Sequence, residues 1–227
     1  MKLEEILRQV IAEGVYDPNI FKAIFVVGSP GAGKSYMIDK LGLTSYGLKL
    51  VDSDVAFTHM LKKVNGDNLK LDTIPSSIRD PIRSDATDIT DRIEMQYAEG
   101  RLGLIIAGTA ADIEKVKSKR DQLVELGYDT YIVFVNTTLE VSLARNRKRE
   151  RSIPEDVVID KWNRYNANSN KLVGIFGVDH WIGIDNSTTD DETINYADKI
   201  IRKWMNSELG YNAKNWIRNQ IKNKNRK

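Results

Sequence analysis

At 227 residues, with 41% apolar and 29% charged residues, the chain can bury a sizeable core in one domain, and its composition excludes both a disordered polymer and a membrane-embedded one. A net charge of +2 is too near zero to mark the whole surface for a polyanion. With no cysteine and only His59 and His180 as histidines, disulfide scaffolds and structural zinc modules are excluded, and a soluble, cytoplasmic protein is expected.

In chain order, Lys2 to Glu13 carries Leu3, Ile6, Leu7, Val10 and Ile11 at helical spacing, which is an amphipathic segment and not an export signal. Ala23 to Val27 is predicted as the first buried strand, followed by a glycine-rich turn and a helix from about Lys34. Leu48 to Val51, Leu102 to Ala107, Tyr131 to Val135 and His180 to Ile184 are predicted as the second to fifth strands. All the apolar runs fall far below the roughly 20 residues a spanning helix needs. Between them, Ile82, Ala86, Ile89, Ile93 and Tyr97 step helically towards a C-cap at Gly100. Ile113, Val116, Leu123 and Val124 mark another helix, stopped at Gly127, and Ile194, Ala197, Ile201 and Trp204 mark a third after Asp190 and Asp191.

This alternation predicts a single α/β domain over residues 1–227, a P-loop NTPase-type three-layer fold with a parallel five-stranded sheet and helices on both faces. Asn65 to Asp85, with Pro75 and Pro81, and Arg145 to Gly177 do not follow the rhythm. Insertions of this kind form lids and substrate contacts, and a lid is expected at about 145–177.

Gly28-Ser29-Pro30-Gly31-Ala32-Gly33-Lys34-Ser35 is a complete G-x-x-x-x-G-K-S motif between a strand and a helix. Its backbone N–H groups and the helix N-terminus suit the phosphates of ATP; Gly28, Ser29, Gly31, Ala32 and Gly33 are the expected cradle, with Tyr36 directly after it. Lys34 is expected on the β- and γ-phosphates, and the Ser35 hydroxyl on Mg²⁺.

Asp52 and Asp54 follow the second strand, at the sheet edge that faces the nucleotide. Asp54 is the candidate general base and Asp52 a candidate Mg²⁺ ligand; alternatively, one of the two caps the helix that begins near Val55. Arg145-Asn146-Arg147-Lys148-Arg149-Glu150-Arg151 is read as a helix whose apolar side is Leu139, Val141 and Leu143, with Arg145 and Arg149 four apart on one face, suited to the charge of a transferring phosphoryl group.

The glycine loop, the aspartate pair, and R-N-x-x-R followed by I-P-x-x-V (Arg145, Asn146, Arg149, Ile153, Pro154, Val157) together resemble the P-loop kinases that include phage polynucleotide kinase and the zeta-toxin kinases. The resemblance implies a general base at Asp54, a lid arginine at Arg149, Arg145 near the adenine, and an adenine-side loop at Asp185-Asn186-Ser187, with Asn186 a nucleotide contact. Phe57 stands where polynucleotide kinases carry an arginine, and Ala107-Gly108-Thr109 where they carry an aspartate; the latter is similar to the zeta-toxin form. The insertion with Arg79 and Arg83 has no counterpart. The resemblance implies transfer of the ATP γ-phosphate to a hydroxyl on a nucleic acid, DNA or RNA, or a nucleotide, such as a 5′-hydroxyl end or a hydroxymethylated base in DNA. A nucleotide-sugar kinase and a nucleic-acid-linked ATPase are the alternatives.

After Glu208 the chain is free of acidic residues and carries Lys214, Arg218, Lys222, Lys224, Arg226 and Lys227. This basic helix and tail, about 209–227, reads either as a nucleic-acid footprint or as a solvated helix end favoured by the macrodipole.

Overall fold

The computed structural model describes residues 15–188 and 190–224; the amphipathic segment predicted at 2–13 lies outside the described residues. Strands β1 (Lys22–Val27), β2 (Lys49–Val51), β3 (Leu104–Gly108), β4 (Asp129–Asn136) and β5 (Trp181–Asp185) form one sheet in the order β2-β3-β1-β4-β5. All four pairings are parallel. Strand β1 is central and buried at every position, as a strand covered by helices on both faces must be.

Along β1 and β4 the side chains alternate between two cores. Ile24, Val26, Tyr131 and Val133 share one with Met37 of α1 (Lys34–Lys40) and Trp204 of α7 (Asp191–Met205). Phe25, Val27, Ile132 and Phe134 share the other with Leu123 of α4 (Ile113–Glu125), Phe176 of α6 (Glu155–Phe176) and Ala213 of α8 (Tyr211–Lys224). Lys22 opens β1 as a fully buried lysine. Its ammonium donates to Asp129 (2.8 Å), the Trp204 carbonyl (3.0 Å) and Ser207 (2.7 Å), so all three donors are satisfied.

A third, smaller core joins α2 (Ser53–Asn65) to α3 (Ser76–Glu99), with Phe57, Leu61, Leu69, Ile74, Ile82 and Ala86. This is the Asn65 to Asp85 insertion, and most of it is ordered. Helix α3 begins at Ser76, earlier than the periodicity implies, and encloses Pro81. Near the amino end, the proline removes only one ladder hydrogen bond, that to the carbonyl four residues earlier. At the other end Gly100 is not left-handed (φ −72°); Arg101 takes that conformation instead (φ 62°). Its N–H bonds to Ala98 and that of Leu102 to Tyr97, which makes a Schellman turn one residue later than glycine would place it.

Side-chain caps set the starts of α2, α4, α7 and α5 (Leu139–Lys148), from Asp52, Asp112, Asp190 and Thr138 respectively. Of the predicted 145–177 insertion, residues 149–154 and Gly177 are irregular. Residues 145–148 end α5, and α6 occupies the rest, anchored by Val158, Tyr165, Leu172 and Phe176. In α5 the buried positions are Ser142 and Asn146; the predicted apolar side is only half-buried, because the glycine loop passes directly over Ser142. Helix α8 docks Trp216 against Phe21 (5.4 Å between rings), just before β1, at the sheet edge opposite the glycine loop. Among the described residues no helix is long and apolar enough to cross a membrane.

Candidate active site

The carboxyl ends of the strands open into a crevice of about 1110 Å³, lined by the glycine loop, Asp52, Asp54, Arg145, Arg149 and residues of α2, α3 and α6. Gly31 (φ 82°) must be glycine twice over: the conformation is left-handed, and a Cβ there would lie 2.5 Å from the Ser142 carbonyl. Gly33 (φ 92°) caps α1, and a Cβ would strike the Asn186 amide.

The Ser29 side chain turns inward to share a hydrogen bond with Ser142 (3.1 Å), and Ala32 is buried with its N–H donated to the Ser29 carbonyl (3.1 Å). The cradle expected at Ser29 and Ala32 therefore does not use their side chains. Lys34 folds back over the loop, donating to the carbonyls of Gly28 (2.9 Å) and Ser29 (3.4 Å), and burial pushes its pKa down to about 8 against the pull of Asp54 and Asp52. Ser35 and Tyr36 are exposed on the crevice wall in the first turn of α1.

The two aspartates divide. Asp52 is the helix cap, its carboxylate accepting the Asp54 N–H at 2.8 Å, and burial together with the charge of Asp54 pushes its pKa up. Asp54 has no capping duty; its carboxylate accepts from Arg83 at 2.6 Å and lies 3.3 Å from Arg151. Burial acts to raise Asp54, but the guanidinium groups of Arg151 and Arg83 outweigh it and hold the carboxyl well below the usual carboxylate range.

Arg145 braces the glycine-loop end of the crevice, donating to the carbonyls of Asn186 (2.8 Å) and Ala32 (3.5 Å), while Asn186 donates to Ala32 (2.7 Å). Arg149 is not on the helix face expected for it. Helix α5 stops at Lys148, and Arg149 is extended (ψ 144°). Two features stop it: Pro154 disfavours helix at Ile153, and the buried Asn146 side chain grips the Ile153 carbonyl (2.7 Å) and N–H (3.1 Å). The chain between is thrown out as a loop that carries Arg149 and Arg151, and it is tied to the insertion by one backbone hydrogen bond, from the Leu71 N–H to Ser152 (3.1 Å).

Two residues of the site escaped the sequence reading. Arg83 comes from the unplaced insertion and stands over the Phe57 ring at 5.1 Å, with Arg151 also over that ring at 5.6 Å. Phe57, where an arginine was expected by resemblance, is thus a platform for two arginines brought from elsewhere. Lys161 on α6 also lines the crevice. Its position four residues after Val157, on the same helix face, was the available signal.

Among the described residues no group of three His, Cys, Asp or Glu side chains could hold a metal. The donors present, the Ser35 hydroxyl and the Asp52 carboxylate, are hard oxygens in the number that suits Mg²⁺ bound mainly through phosphates and water. After β3 the chain runs through Thr109 to Ala110, a left-handed non-glycine residue (φ 53°) whose carbonyl accepts from Asn168 (3.1 Å).

A family model described as AAA domain matches residues 24–172. No curated protein matches the chain in sequence. Among solved structures, the AvrRxo1-ORF1:AvrRxo1-ORF2 complex superimposes with a TM-score of 0.61 both with sulphate ions, at 17% identity, and with ATP, at 14%. The alignment covers 81% of this chain but only 62% of that one. The PezAT chromosomal toxin–antitoxin system of Streptococcus pneumoniae aligns with a TM-score of 0.58 at 13% identity, over 90% of this chain and 96% of that one. A sugar kinase from Janibacter aligns with a TM-score of 0.50 at 20% identity, over 80% and 94%. At these identities the likeness is one of fold, a parallel α/β fold of the P-loop NTPase type.

Proposed function

The chain belongs to the AAA domain family, and from that premise we propose that it is a single-domain, Mg²⁺-dependent kinase that moves the γ-phosphate of ATP to an acceptor hydroxyl. The observation that carries the reading is the charge cluster in one crevice, where Lys34, Asp52, Asp54 and Arg149 line the same walls. A phosphate-binding lysine, a carboxylate and a lid arginine within one field are the parts that phosphoryl transfer uses.

In this reading the glycine loop and the amino end of α1 hold the phosphates, and Lys34 leaves the loop carbonyls for them. Ser35 and Asp52 would hold Mg²⁺, which supplies charge neutralisation on the phosphate oxygens. Asp54 orients the acceptor hydroxyl and takes its proton as the oxygen bonds to the γ-phosphorus and the bond to the β–γ bridging oxygen breaks, releasing ADP. Arg149 approaches the transferring group from the loop 149–154, the part of the predicted lid free of regular structure.

The acceptor we favour is a nucleic acid or nucleotide hydroxyl, in line with polynucleotide kinases; the zeta-toxin form after β3 keeps a nucleotide sugar as the second reading. Docking of α8 at the opposite sheet edge puts its cations away from the crevice, so a nucleic acid acceptor would be held by the crevice itself. An ATPase is disfavoured because Ala107-Gly108-Thr109 ends β3 with no carboxylate to order water. The test is transfer from γ-labelled ATP to 5′-hydroxyl DNA and RNA, hydroxymethylated DNA, nucleosides and nucleotide sugars. Label recovered only as inorganic phosphate, whatever acceptor is present, overturns the reading.

A further inference from the structure

Helix α8 carries charge that neither the crevice nor the fold uses. Its inward side, with Ala213, Trp216 and Ile217, packs on the core, and Lys224 lies over the Tyr16 ring at 4.9 Å. The outward side steps through Tyr211, Lys214, Asn215, Arg218, Asn219 and Lys222, the spacing of one helix face. All are exposed except Asn215, which is half-buried. No acidic residue falls within the helix. The macrodipole favours cations in the last turn, which covers Lys222 and Lys224 but neither Lys214 in the first turn nor Arg218 in the middle.

The carboxylates on neighbouring segments leave that face positive. Glu208 reaches Lys214 (2.8 Å), but its side chain is 89% exposed and water screens the pair. Asp129 is turned to Lys22 and His180, and Asp121 to Lys117 and Arg120. Glu99 and Glu125, exposed at the ends of α3 and α4, form no ion pair with α8 among the described residues, and Asp17 follows Tyr16 at the Lys224 end. Arg218 and Lys222 have no ion-pair partner among the described residues.

We propose that the outward face of α8 is a docking surface for duplex DNA, separate from the crevice, by which the chain holds a duplex while its nucleotide site stays free at the other end of the strands. From Tyr211 to Lys222 the face is about 17 Å long, and the major groove of B-form DNA, about 12 Å wide, admits one α-helix. The cations meet phosphates, and the Asn215 and Asn219 amides between them match the paired donor and acceptor on the adenine edge. Duplex RNA has a major groove too deep and narrow for side chains to read. A helix lying on a membrane would turn a broad apolar side outward, where α8 has Tyr211 alone.

The test is fluorescence anisotropy of the full chain with a labelled DNA dumbbell of about 20 base pairs, two helical turns, over a series of salt concentrations. Its closed ends offer the crevice no 5′-hydroxyl. The logarithm of the binding constant is expected to fall against that of salt with a slope of about −2.7, roughly −0.9 for each of three phosphates. The double variant Arg218→Gln, Lys222→Gln is expected to bind about tenfold or more weakly and to bring the slope to about −0.9. Its melting temperature and its affinity for a magnesium–ATP analogue are expected to match the wild type. Absence of dumbbell binding, or wild-type affinity and slope in the double variant, overturns the surface. Dumbbell binding abolished by the ATP analogue also overturns it, because the duplex would then lie in the crevice. Equal affinity for an RNA duplex, or competition by phosphatidylserine vesicles as effective as that by unlabelled dumbbell, overturns the assignment to DNA. The kinase reading fails separately, as absence of label transfer to any acceptor with dumbbell binding intact.

Discussion

Asp52 and Asp54 sit two residues apart and do different work because the start of α2 falls between them. The cap predicts that Asp52→Asn keeps stability, since asparagine caps about as well as aspartate, whereas Asp52→Ala loses about 1 kcal/mol, readable by denaturant unfolding. Asp54→Asn tests chemistry instead. It cannot take a proton, so transfer is expected to fall roughly 10²–10⁴-fold with ATP affinity nearly kept; near-wild-type transfer would remove Asp54 from the role of base. Lys34→Ala is expected to weaken ATP binding about tenfold or more and abolish turnover, because charge-assisted contacts to phosphate are worth roughly 1.5–3 kcal/mol. Unchanged affinity by calorimetry would detach the glycine loop from nucleotide binding.

At the scale of elements, the loop 149–154 owes its shape to Asn146, whose amide holds both polar groups of the Ile153 backbone from a buried position. Asn146→Ala leaves those groups without partners and is expected to cost about 1–3 kcal/mol. It should also speed proteolytic cleavage between Arg149 and Ser152 and lower turnover more than nucleotide affinity. Cleavage at the wild-type rate would show that the latch does not order the loop.

The strands, their parallel pairing and the glycine loop were legible because each is local: an apolar run, an alternation, a motif bounded by strand and helix. What stayed hidden was non-local. Arg83 reaches Asp54 across 29 positions, and the platform role of Phe57 exists only once Arg83 and Arg151 lie over it. The helix face drawn for Arg145 and Arg149 failed for a nearer reason: helical periodicity continues on paper past Lys148, while Pro154 and the Asn146 latch end it.

For the molecule as a whole, three buried phenols set an alkaline limit. Tyr131, Tyr128 and Tyr165 each donate to an oxygen, and burial raises all three, Tyr131 to about 12. The unfolded chain releases these protons near pH 10 while the folded chain keeps them. Stability is therefore full below about pH 10 and falls as pH rises towards 12, by about 1.4 kcal/mol per pH unit for each phenol. Tyr131→Phe is expected to make denaturant midpoints fall less steeply over that window; an unchanged slope would exclude Tyr131 as a source.

The backbone hydrogen bond from Leu71 to Ser152 joins the loop that carries Arg149 and Arg151 to the wall of the insertion. Whatever ligand settles one of these two segments lowers the entropy left for the other ligand to remove. Under the kinase reading, nucleotide and acceptor are thus expected to bind with positive cooperativity, and thermodynamic reciprocity requires each to tighten the other by the same factor. Leu71→Pro deletes that donor while keeping the Leu71 carbonyl that accepts from Arg79 (3.0 Å), and should bring the factor towards one.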